Sequence, residues 1–250
     1  MTGPAPTPAV LRDPEPDSLA GRVLEAYGGP ALWSGAAQVH ARLSAGGLLF
    51  TWKRGRAGRF RDLSVHADVH EQRIRFVGFH DGLDGVLVGH RVQLETPDGE
   101  VVARRDNARD RFPYRGRLVR WDPLDMMYFL GYALWNYFVF PALLLREDVE
   151  WVGEGPDLLR ATFPAHLATH CPVQRFRVDP ETLLVSRHQY TAEVFGRRWA
   201  RACHLTSEYR VSSGVPYASR RRVMPRSPGS GGPMAAPVLI WADLHDYRLQ

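Results

Sequence analysis

Hydrophobic positions near the start of the chain change their period once, and the change marks two kinds of element. Leu19, Val23, Leu24, Ala26 and Tyr27 recur at helical spacing, with Asp17 or Ser18 to cap the start and Gly28-Gly29 to stop it. A helix over residues 17–27 is expected. Beyond Trp33 the period falls to two: Val39, Ala41 and Leu43 alternate with His40, Arg42 and Ser44. Gly46-Gly47 turns the chain into a second expected strand at 48–53. Strand character returns at 59–65, 73–79, 85–96 and 100–105, and Pro97-Asp98-Gly99 makes a hairpin turn between the last two. This half reads as a meander.

Residues 106–121 are charged and irregular, and a very apolar stretch follows. Asp122-Pro123 is a cap and first-turn pair, and from Leu124 to Leu145 the polar side chains other than tyrosine are Asp125 and Asn136. A helix apolar nearly all round is buried on several sides or meets a membrane. A membrane span needs about 20 uninterrupted apolar residues. Asp125, Gly131, Asn136 and Pro141 interrupt this run, so a helix laid across the concave face of a sheet is expected instead.

The second half returns to strands at 147–152, 158–163, 173–178, 183–194, 199–211, 216–224 and 238–249. Turns punctuate them at 179–182, Gly196 and 213–216, and residues 226–237 form a Pro/Gly/Ser loop expected to be mobile. The fold class expected is mainly β (α+β). A large curved antiparallel sheet that curls on itself is expected, with the apolar helix on its concave face and a further helix at the N-terminus. Residues 18–250 read as one domain, preceded by a disordered leader at 1–17.

Composition narrows the partners. The net charge of +5 comes almost wholly from arginine, since Lys53 is the sole lysine. No basic stripe with interleaved aromatics exists outside 217–226, which argues against nucleic acid. Cys171 and Cys203 sit in no metal or redox spacing and read as two buried thiols of a reducing compartment. The leader lacks the basic and apolar regions of a signal peptide, so a cytoplasmic location is expected, without stable membrane insertion. Among the ten histidines there is no HExxH, and His66 and His70 are four apart in strand-like sequence, where that spacing does not converge on a metal. Neither a Walker loop, a dinucleotide fingerprint nor a nucleophile elbow is present, so no metal and no cofactor is expected. Nothing in the sequence signals an oligomeric state.

Alternation assigns side chains to faces. His188 and Tyr190 share one face of their strand, and His204 could lie across from either. Trp241 and Asp243 share a face of the last strand, as Arg220 and Arg222 do of the one before. A polar cluster of His188, Tyr190, His204, Arg222 and Asp243 on one wall is therefore expected. Histidine can move protons, tyrosine can donate a hydrogen bond and arginine can hold a carboxylate or enolate. His188, Tyr190 and His204 are the catalytic candidates; the plainer alternative makes them hydrogen-bonded structural residues. Trp52, Phe76, Tyr128, Trp135, Asn136 and Trp241, with Arg222 and Asp243, are the ligand-binding candidates. The same aromatics could equally fill a solid core.

Ala26-Tyr27-Gly28-Gly29 followed by Trp33, at the end of a first helix and before a meander, resembles the LolA/LppX-like superfamily. Trp121-Asp122, the run Gly131 to Tyr137, Val178-Asp179, the run Arg187 to Val194, Arg220 to Val223 and Ile240-Trp241 resemble a cytosolic, actinobacterial-type branch of it. The likeness spans residues 18–249. It implies that the sheet forms an unclosed barrel around the apolar helix, a half-barrel with an apolar cavity, in a superfamily whose carriers ferry acyl chains. What such a resemblance carries over is the cavity rather than the cargo. The function expected is binding of an apolar or amphipathic small molecule of acyl, polyketide or terpenoid type. The alternative is a cofactor-independent cyclase, isomerase or dehydratase of specialised metabolism, and a third option is an interaction module whose apolar helix docks a partner.

Overall fold

A computed structural model of the protein describes residues 9–54, 60–112, 120–196 and 200–250. Most of the expected leader (1–8) and the start of the strand at 199 lie outside these described residues, as does Arg59. Helix α1 (Leu19–Ala26) begins where the Ser18 hydroxyl accepts from the Gly21 amide at 3.0 Å. It ends where Gly28 and Gly29 take positive φ angles of 102° and 82°, a conformation that glycine adopts without strain. In α2 (Pro30–Gly35), the wholly buried Trp33 donates its indole N–H to the Tyr27 carbonyl at 2.9 Å.

Thirteen strands follow in one antiparallel sheet: β1 (Gln38–Gly46), β2 (Phe60–Asp68), β3 (Arg73–His80), β4 (Leu83–Val88), β5 (Arg91–Glu95), β6 (Val101–Arg105), β7 (Glu150–Gly153), β8 (Leu158–Thr162), β9 (Val173–Val178), β10 (Val185–Thr191), β11 (Arg201–Ser212), β12 (Val215–Pro225) and β13 (Ile240–Leu249). The spatial order runs from β6 down to β1, crosses to β13, then descends to β7. Two meanders are thus joined down the middle by the first and last strands, Val39 opposite Leu249 and Gly46 opposite Trp241. Among the described residues β6 and β7 remain edges, so the barrel is unclosed, as the resemblance implied.

Two expected elements change. The stretch expected as one strand at 85–96 is the hairpin β4–β5, because Gly89 takes a φ of 55° and lets Val88 pair with Arg91. The segment expected as a strand at 48–53 is a helix, α3 (Leu48–Arg54). Phe50 and Lys53 are buried three apart while Leu48, Thr51 and Trp52 are exposed, so the true period there is helical. Gly47 makes the change of direction possible: a Cβ at this position would stand 2.5 Å from the Leu239 carbonyl oxygen.

The apolar helix α4 (Pro123–Phe138) occupies the hollow of the sheet on the connection from edge β6 to edge β7, and α5 (Phe140–Leu143) continues it. The Asp122 carboxylate accepts from the Asp125 amide at 2.8 Å and the Asp125 carboxylate from the Asp122 amide at 3.3 Å, a reciprocal cap. Arg105 of β6 clamps both, at 2.7 Å to Asp122 and 2.6 Å to Asp125, tying the helix start to the sheet edge. Among the described residues no helix is long and apolar enough to cross a membrane. Residues 10–12 run beside the end of the helical segment, Arg12 donating its amide to the Leu145 carbonyl at 2.6 Å. The 226–237 segment folds back on β10, where Gln189 Nε2 donates to the Gly231 carbonyl at 2.7 Å.

Candidate functional site: a cavity with a polar inner end

The backbone of α4 lies close to β3, β4 and β5. Beneath β10–β13 it does not fill the hollow, and a cavity of about 430 Å³ opens between the helix and the sheet. Leu49 and Trp52 of α3, Phe129 of α4, Phe195, Ala202 of β11 and Val223 of β12 are among its walls, and among the described residues Arg201 is the one charged side chain lining it. The volume falls within the roughly 300–1,000 Å³ typical of small-molecule sites, and so does the apolar character. Beside it Lys53 packs against the rings of Trp52, Trp121 and Phe195, and burial pulls its ammonium down to about 8.

Tyr190, Phe129, Val223 and Ile240 also line a narrow crevice of about 30 Å³ that continues the cavity inward. The crevice reaches Tyr137, His204 and Arg221, and these three in turn line a second crevice of about 40 Å³ toward α1. A hydrogen-bonded cluster is built around this inner end. The His170 ring, from the β8–β9 link, stacks on Tyr190 at 3.7 Å between centroids. His170 Nε2 lies 2.6 Å from Tyr137 Oη, its Nδ1 lies 3.3 Å from Tyr132 Oη, and Tyr137 Oη lies 3.1 Å from Tyr190 Oη. His188 donates from Nε2 to Gln174 Oε1 at 2.6 Å. The Gln174 amide nitrogen is itself committed to the Cys171 carbonyl at 2.9 Å and to the Thr169 hydroxyl, which fixes which end of the amide faces the histidine. Opposite His188 in register stands His204, 4.4 Å from the Tyr137 ring. Neither ring nitrogen of His204 has a hydrogen-bond partner among the described residues.

Burial sets the protonation states. It holds His188 down at about 3 and keeps His170 and His204 well below the usual histidine range. The same desolvation holds the Tyr132 and Tyr190 hydroxyls well above theirs. At neutral pH the cluster is a set of neutral donors and acceptors with two guanidiniums beside it, Arg109, which is paired with Glu193, and Arg221. A general acid or base works best with a pKa near the operating pH, and these histidines are far from it.

The sequence candidates divide clearly. His188, Tyr190 and His204 come together at the inner end, and Trp52 stands at the mouth, half-exposed. Asn136 lines the second crevice, its amide nitrogen donating to the Tyr132 and Ala168 carbonyls at 2.6 and 3.1 Å. Three aromatics belong to the packed interior away from the cavity. Phe76 is wholly buried against Phe79, Tyr128 bonds His90 Nδ1 at 2.9 Å, and the Trp135 indole donates to the Asp68 carbonyl at 2.8 Å. The expected wall shared with Arg222 and Asp243 does not form. His204 pairs with Val223, so Arg222, paired with Leu205 and Trp241, takes the other face, where it meets Asp243 at 2.6 Å. The inward arginine is Arg221.

Sequence reasoning missed Arg221, His170 and Gln174 and left Tyr137 among core aromatics. Tyr137 was within reach of it: Leu130, Ala133, Leu134 and Tyr137, at helical spacing, all line the inner crevice. His170 lies in an irregular link with no period to read. Cys171 and Cys203 are buried free thiols, and no group of three or more metal-ligating side chains is found among the described residues.

No protein-family model matches the sequence, and no curated protein matches it either. Solved structures do. A DUF1329 family protein from Desulfovibrio piger is similar with a TM-score of 0.51 and 13% identity, over 93% of this chain and 90% of that one. A LolA superfamily protein from Nitrosomonas europaea gives a TM-score of 0.48 and 12% identity, over 92% of this chain and 93% of that one. At such identity the likeness to the first of these is one of fold.

Proposed function

We propose that the protein binds an apolar or amphipathic small molecule, of acyl, polyketide or terpenoid type, in the cavity beneath β10–β13. The observation that carries this reading is a space of about 430 Å³ walled, among the described residues, almost wholly by apolar side chains. Native mass spectrometry of the purified chain, paired with titration of the neutral fluorophore N-phenyl-1-naphthylamine, tests it. A co-purifying apolar molecule or saturable fluorophore binding is expected, lost when Ala202→Phe fills the space. Absence of both in the wild type would sink the proposal.

A second reading is a cofactor-independent cyclase, isomerase or dehydratase using the same space. One observation favours it: His204 offers two unpartnered ring nitrogens beside the Tyr137–Tyr190 hydroxyl pair. Against it stand the depressed histidines, which suit hydrogen bonding better than proton transfer. His204→Ala separates the two readings. A binder keeps its affinity within a few fold, while an enzyme loses turnover by orders of magnitude.

A further inference from the structure

The interior charge at the end of the cavity asks for a counter-charge. Arg221 points inward from β12, sharing a face with Val223 and Ala242 and lying across from Thr206. Its guanidinium sits over the Tyr137 ring at 5.4 Å. Among the described residues it makes no hydrogen bond and no ion pair, and its Nε is buried without a partner. Among the described residues neither crevice that it lines contains an aspartate or glutamate. Its positive field is felt by His188 and His204, whose protonation it opposes, and by Tyr27, Tyr137, Tyr209 and Tyr247, whose ionisation it favours. Arg105 is matched by Asp122 and Asp125, Arg109 by Glu193 and Arg146 by Asp148, whereas Arg91 and Arg187 share with Arg221 a buried Nε that lacks a partner among the described residues. Arg221 differs from those two in lining the crevices that lead to the cavity. It is half-buried, and a guanidinium partly withdrawn from water without a protein partner favours a bound counter-charge.

Resting on the proposed function, we infer that the ligand is an amphipathic carboxylic acid, its apolar body in the large cavity and its carboxylate on Arg221 beside His204. The planar guanidinium fork matches a carboxylate. Charge favours the same class. One guanidinium among neutral side chains is balanced by a single carboxylate, whereas a phosphate monoester carries about two negative charges. The walls around Arg221 are otherwise uncharged: Tyr137 from α4, His204 and Thr206 from β11, Ala242 from β13.

The test is displacement of N-phenyl-1-naphthylamine from the full chain by dodecanoic acid, methyl dodecanoate and dodecyl phosphate. The acid is expected to displace the fluorophore at a concentration tenfold or more below that of the ester. Arg221→Met brings the acid down to the ester's level, and Arg221→Lys keeps part of the preference. Equal displacement by acid and ester on the wild type, or a preference that survives in Arg221→Met, overturns the carboxylate while the cavity reading stands. A stronger effect of the phosphate also overturns it. If the wild type neither binds the fluorophore nor retains an apolar molecule in native mass spectrometry, the cavity reading falls and takes this inference with it. A retained molecule that is not a carboxylic acid overturns this inference alone. Should Arg221→Met fail to fold, the acid-to-ester ratio on the wild type and on Arg221→Lys decides.

Discussion

The two flanks of α4 meet the same sheet in different ways. Toward β4 the helix has no side chain at Gly131, where a Cβ would stand 2.9 Å from the Leu87 Cβ, and the strand has none at Gly85, where a Cβ would stand 2.4 Å from the Met127 sulfur. Each glycine lets an opposing side chain, Leu87 or Met127, lie against bare backbone, and the layers close there. Toward β10–β13 the helix presents Phe129 and Tyr137, and the strands present Tyr190 and His204. Tyr137 meets Tyr190 hydroxyl to hydroxyl and His204 ring to tilted ring, and these large side chains hold the layers apart. A half-barrel becomes a container because one flank is allowed to close and the other is propped open.

Acid should attack the propped flank, and this is the largest effect expected. His170, His188 and His204 are buried and neutral in the folded chain, whereas each accepts a proton near 6.5 once unfolded. Their folded values are depressed, so stability is intact above pH 6.5. It falls as pH drops through the window that for His188 extends to about 3. Each histidine contributes roughly 1 kcal/mol per pH unit while that window is open. Urea unfolding at about pH 7.5 and about pH 5.5, roughly a unit on either side of the usual histidine value, should show a loss of several kcal/mol between them. The slope should shrink by about one proton in His188→Gln. A pH-independent midpoint would show that these rings are not buried neutral.

The closed flank should answer to bulk instead. Gly131→Val forces two branched carbons into the contact with Leu87 and is expected to cost about 3 kcal/mol, the upper part of the overpacking range. Ala202→Phe, on the open flank, should stay within about 1 kcal/mol of the wild type because its ring enters the cavity. If thermal melts rank the two equally, the asymmetry between the flanks is wrong. Asp122→Ala removes the cap of α4 and half of the Arg105 clamp, and a loss of about 1–2 kcal/mol is expected in the same melts. Smallest is Arg222→Ala. It deletes an ion pair on the outer face of the sheet and should change stability by less than about 1 kcal/mol, with no change in ligand affinity.

Local chemistry made much of the fold readable. Ser18 and Gly28-Gly29 bound the first helix, Asp122-Pro123 starts the second long one, and alternation marks β1, β3 and β9 within a residue or two. The helix apolar nearly all round had to be enclosed, and it is. A run as short as 48–53 carries too few positions to separate period two from period 3.6; the chain turns out of β1 at Gly47, close against the Leu239 carbonyl, and continues as a helix.

The candidate site shows the same boundary more sharply. That His188 and Tyr190 share a face follows from spacing two apart, and the sequence determined it alone. Which arginine of Arg220-Arg221-Arg222 faces inward is a matter of parity, and three identical side chains give alternation nothing to work on. The pairing of His204 with Val223 and of Arg222 with Trp241 decided it, turning Arg221 to the cavity and Arg222 to the outer face. His170 joined the cluster through a loop that brings it onto Tyr190 from a distant point in the chain. Periodicity fixes what lies along one strand or one helix, whereas register and loop path fix what lies across from it, and this cavity is made of what lies across.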